Sequence, residues 1–186
     1  MGDVNTGGLA GGTARERESR LMTGLFRDRE SAEGAYRSLS TRGYGKDDVN
    51  LLMSDETRKK YFADDDDSEL GTKAWEGAGK GAAIGGGVGA TLAAIAAVGT
   101  TLALPGLGLL IAGPLAAALA GGGGGALTGG LIGALVGHGI PEEHAKHYEQ
   151  GIRDGGIVMG VNPRNAEDAD YFENEWRNNR AEQLYR

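Results

Sequence analysis

The sequence predicts an α+β fold, in which a small α/β domain is interrupted by a long Gly/Ala-rich antiparallel α-helical hairpin. Three observations predict it. Short apolar runs near 21–26, 49–53 and 157–161 alternate with stretches of helical periodicity. No residue from Gly81 to Gly137 carries a charge, 57 positions in a row. Inside that block glycine or alanine recurs at every fourth position, the small-xxx-small spacing that lets two helices approach closely.

Totals narrow the function classes. At 186 residues the chain fits one ordinary domain, or a small domain carrying a large insert. Its 35 glycines cluster in one region instead of following a period of three, which excludes a collagen-like rod. There is no cysteine, so disulfides, thiolate zinc sites and thiol catalysis are excluded. A net charge of −7 argues against general nucleic-acid binding, because neutralising phosphates needs a basic face. The opening stretch MGDVNTGGLAGGTARERE, residues 1–18, has no signal-peptide apolar run and is expected to be a disordered tail. The expected compartment is the cytoplasm, or an inner membrane with both ends of the chain in the cytoplasm.

Residues 19–53 form the first half of the α/β domain. Leu21 to Phe26 suits a buried strand. Asp28 can cap a following helix, on which Ala32, Ala35, Tyr36 and Leu39 share one face. Gly43 is placed to end that helix with a left-handed residue. Asp47 and Asp48 then lead into a second strand through Val49, Leu51, Leu52 and Met53. Strand, helix and strand make a βαβ unit.

Residues 54–76 read as an acidic connector holding a short helix at most. The run Asp64 to Asp67 lacks the alternate spacing and glycine turn of a calcium loop, so it reads as solvated charge ahead of a helix N-terminus.

Residues 77–139 are the expected hairpin. Gly77, Gly81, Gly85, Gly89 and Ala93 form a small-residue column on the first arm. On the second, Gly113, Ala117, Gly121, Gly125, Gly129, Gly133 and Gly137 form another. These twelve residues are the predicted helix-packing interface. Pro105 and Pro114 flank GLGLLIAG, a natural place for the chain to reverse.

The second half of the domain is expected over 140–162. Pro141 sits at a favoured helix start, Ala145, Tyr148 and Ile152 line one face, and Gly155-Gly156 stops the helix. Ile157 to Val161 is a third strand, broken by Asn162-Pro163. Residues 163–186 carry a last helix, with Ala169, Phe172 and Trp176 at helical spacing, then a polar tail. The order βαβ…αβ makes the expected domain ferredoxin-like.

No motif supports catalysis. GAGKGA at 77–82 fails as a phosphate loop, since Gly81 stands where serine or threonine should bind magnesium and no strand precedes it. His144 and His147 lack the third ligand a metal site needs, and His138 stands alone at the end of the apolar block. The aromatic residues fall at core positions. The expectation is a non-enzymatic protein with no cofactor, no metal and no small-molecule substrate.

The stretches TGLFRDRESAEGAYRSLSTRGYGKDDVNLLMSDE, LALPGLGLLIAGPLAAALAG and LIGALVGHGIPEEHAKHYEQGIRDGGIVMGV resemble the bacterial general stress protein family, also called heat-induced stress proteins. FRDRESAE at 26–33, LMSDE at 52–56 and GIPEEHAKHYEQGI at 139–152 carry the resemblance, which spans about residues 21–162. It implies expression under general stress and transfers no catalytic or binding residue.

Two functional expectations follow. In the first, arms 81–104 and 107–137 cross a bilayer, their 24 and 31 residues reaching about 36 and 46 Å as helices. Insertion is marginal, because the seven Leu, Ile and Val residues of the first arm contribute only roughly −2 to −4 kcal/mol. In the alternative, hairpins of several copies bury one another in a soluble assembly. Both make the chain its own partner, and the first adds a lipid bilayer.

Overall fold

A computed structural model describes residues 21–62, 92, 100–104, 107–116 and 125–186. In chain order the elements are β1 (Met22–Phe26), α1 (Arg29–Thr41), β2 (Val49–Ser54), α2 (Asp55–Phe62), β3 (Thr100–Leu104), β4 (Leu107–Ala112), α3 (Gly125–Gly137), α4 (Glu142–Arg153), β5 (Ile157–Val161), α5 (Ala166–Asn178) and β6 (Glu182–Tyr185). The fold is α+β, with one antiparallel sheet in the order β3-β4-β2-β5-β1-β6.

Local signals in the sequence end several elements where they were expected. The Asp28 carboxylate accepts the Ser31 N–H at 2.8 Å and so satisfies one of the free donors of the first turn of α1. Gly43 (φ +75°) and Gly155 (φ +88°) take the left-handed conformation just beyond α1 and α4, which costs a glycine little. Asn165 caps α5, accepting the Asp168 N–H at 2.8 Å.

β5 lies between β1 and β2 and is antiparallel to both. β1 and β2 therefore run parallel, with α1 as their connection. β6 is antiparallel to β1, so β5 and β6 also run parallel, joined by α5. Two βαβ crossovers are thus interleaved in one sheet, and everything between β2 and β5 is an insertion into the segment joining two neighbouring strands. The expected helix and strand over 140–162 both form, as α4 and β5, while the second crossover unit is β5-α5-β6, whose last strand replaces part of the polar tail expected after Trp176. Arg180 and Gln183 have positive φ, and the β1–β6 register shifts between Thr23 and Leu25, so the last strand is short and irregular.

Side chains of the strands alternate between two cores. Met22, Phe26, Val49, Leu51, Met53 and Met159 face one side, where Ala35 and Leu39 of α1 and Phe172 and Trp176 of α5 cover them. Leu25, Leu52, Leu109, Ile111 and Val158 face the other, against Leu131 and Leu135 of α3 and Ala145, Tyr148 and Ile152 of α4. The inserted segment thus covers the sheet face that α1 and α5 leave open. Each such leucine or isoleucine contributes roughly 1.5–3 kcal/mol of burial. Because both faces are covered, the central strands read as continuous apolar runs without an apolar/polar alternation.

The expected hairpin arms need correction over 100–104 and 107–112. β3 and β4 pair antiparallel, with Leu104 opposite Leu107, and β4 continues the sheet beside β2, with Leu51 opposite Ala112. The chain reverses between Leu104 and Leu107, and most of the 106–113 stretch expected to make the reversal is strand β4. A short apolar run bounded by proline and glycine fits a buried strand as well as a buried helix, and pairing to β2 decides in favour of the strand.

Candidate functional site

Of the twelve predicted interface residues, Gly77, Gly81, Gly85, Gly89, Ala93, Ala117 and Gly121 lie outside the described residues. Gly113 is not on a helix. It has φ +93°, and a Cβ there would stand 2.1 Å from the Val49 carbonyl oxygen. Gly113 is thus a close-approach glycine at the end of β4. The side chain of buried Asn50 fixes the same junction, its Oδ1 accepting the Leu115 N–H at 2.6 Å.

Gly125, Gly129, Gly133 and Gly137 all fall in α3, but not on one unbroken helix. Gly130 has φ 61° and ψ −149°, which interrupts the helix between Gly129 and Gly133. Four-residue spacing across that break does not keep residues on one face. A Cβ at Gly137 would meet nothing within 4 Å, so no described residue packs against it.

Beyond the break, α3 has two unlike sides. Leu131, Ala134 and Leu135 are buried against the sheet and α4. Val136 is 43% exposed, the one exposed large hydrophobic among the described residues, with exposed Gly137 next to it. The α3 stretch contains no charged residue.

A turn follows, where a cleft is lined by Leu21, His138, Gly139 and Tyr185. Its polar groups are used within the chain. His138 Nδ1 lies 2.9 Å from the Ala134 carbonyl oxygen, and the Tyr185 hydroxyl donates to the Gly139 carbonyl at 3.1 Å. His144 and His147, which the sequence leaves without a third metal ligand, have different surroundings. His147 Nδ1 is 2.8 Å from the Glu143 carbonyl oxygen, whereas the His144 ring sits beside Tyr185 with centroids 5.2 Å apart. Among the described residues no cluster of three or more His, Asp or Glu side chains could hold a metal ion.

Two buried polar ties connect the elements. The Tyr148 hydroxyl lies 2.8 Å from Thr23 Oγ1 and donates to the Gln183 carbonyl at 2.5 Å, joining α4 to β1 and β6. Burial pushes this phenol up to about 12, so it stays neutral and is a poor acid or base near pH 7. On the other face, Asp168 accepts from Tyr44 Oη at 2.8 Å and from Arg42 Nη1 at 3.3 Å. The Arg164 guanidinium stacks 4.0 Å above the Tyr44 ring. This network clamps the end of α1 to the start of α5. Its charges are spent on one another, which is the arrangement of a structural joint.

The chain matches no family model, no curated protein and no solved structure. Sequence spacing pointed to α3 but not to Val136, whose exposure depends on which side of that helix the sheet takes. The Tyr148 tie was also missed, because Gln183 lies in a strand the sequence did not reveal.

Proposed function

We propose that this chain is a non-enzymatic general stress-response protein whose copies associate through the uncharged 81–137 block into a soluble assembly. Its ferredoxin-like module, β1-α1-β2 with β5-α5-β6, decorates that assembly. The interleaved crossovers and the order β6-β1-β5-β2 support the ferredoxin-like reading. The family resemblance of residues 21–162 supports the stress-response reading.

One observation carries the association. Val136 is exposed on an uncharged helix, beside Gly137, which nothing described packs against. A single exposed valine is ordinary on a protein surface, and it supports association here because the helix that carries it is uncharged and ends the small-residue block. Soluble assembly is favoured over a bilayer-spanning hairpin for a geometric reason. Residues 107–112 are a strand of the sheet and Gly130 interrupts α3, so 107–137 is not one helix. Among the described residues no helix is long and apolar enough to cross a membrane.

Fractionation tests the reading. After ultracentrifugation of a detergent-free lysate, the protein is expected in the supernatant, with a light-scattering mass of several chains. Recovery only from the membrane pellet with detergent would establish the bilayer reading instead, and a monomer in the supernatant would remove both.

A further inference from the structure

We draw no further inference here: the strongest candidate, the cleft between the α3–α4 turn and the end of β6, carries nothing because His138 Nδ1 and the Tyr185 hydroxyl are both engaged with carbonyls of this chain and no second observation points to a ligand.

Discussion

Gly113 and Gly137 stand in the same four-residue column of the sequence, yet their surroundings are opposite. Gly113 is pressed onto the β2 backbone in a left-handed conformation, while a Cβ at Gly137 would meet no described residue within 4 Å. Among the described residues glycine serves close packing in the first place and not in the second, although the spacing treats them alike. The comparison extends to glycines outside any column. A Cβ at Gly34 of α1 would stand 1.9 Å from Asn179 Oδ1 just past α5, and one at Gly151 of α4 would stand 2.4 Å from Leu25 Cδ2. These two let helix and neighbour come together with no repeat to announce them. Close packing by glycine is set by what crosses above the residue, and periodicity does not report that.

The largest expected effect is at the crowded end of this comparison. Gly113→Ala combines a left-handed backbone with a clash against a carbonyl that cannot move away, and should cost about 3 kcal/mol or more. Urea denaturation measures it, and a midpoint equal to wild type would break the close-approach assignment.

A smaller effect is expected at the tie that holds α4 to the sheet. Tyr148→Phe leaves Thr23 Oγ1 and the Gln183 carbonyl without their partner, a loss of about 1–2 kcal/mol. It should also change the alkaline limb of the stability profile. The folded state raises the phenol from 10.0 to about 12, so it favours the neutral form. The resulting stabilisation is complete below pH 10 and is lost as pH rises through 12, amounting to about 2–3 kcal/mol. Wild type should therefore lose more stability than Tyr148→Phe across that window. Parallel curves would show that the hydroxyl is not buried in this way.

At the open end, Gly137→Ala should stabilise the fold by about 0.4–1 kcal/mol, since the backbone is helical and the added methyl meets no described residue. Destabilisation in a thermal melt would reveal something already packed against this position.

Features decided by neighbouring residues were legible in the sequence. The Asp28 cap, the Gly43 and Gly155 helix stops, the three central strands and the buried faces of α1, α4 and α5 depend on residues within a turn or two of one another. What was not legible depends on contacts far along the chain. The 107–112 run is equally apolar as helix or strand, and only its pairing with β2, more than 50 residues earlier, fixes it. β6 is four residues of mixed polarity, with Glu182 and Gln183 exposed, so it lacks the alternation that marks a strand. Gly113 was misread because a block this rich in glycine produces four-residue spacings whether or not a helix runs through them. Leu131 and Leu135 recur at the same four-residue spacing as the glycines, and with Ala134 they form the side of α3 that seals the sheet.

Val136→Glu tests the proposal that the exposed side of α3 joins copies of the chain. A charge at this 43% exposed position should leave thermal stability within about 0.5 kcal/mol of wild type. It should convert the assembly to monomers by light scattering in detergent-free buffer. Wild type and variant assemblies of the same mass would contradict the account.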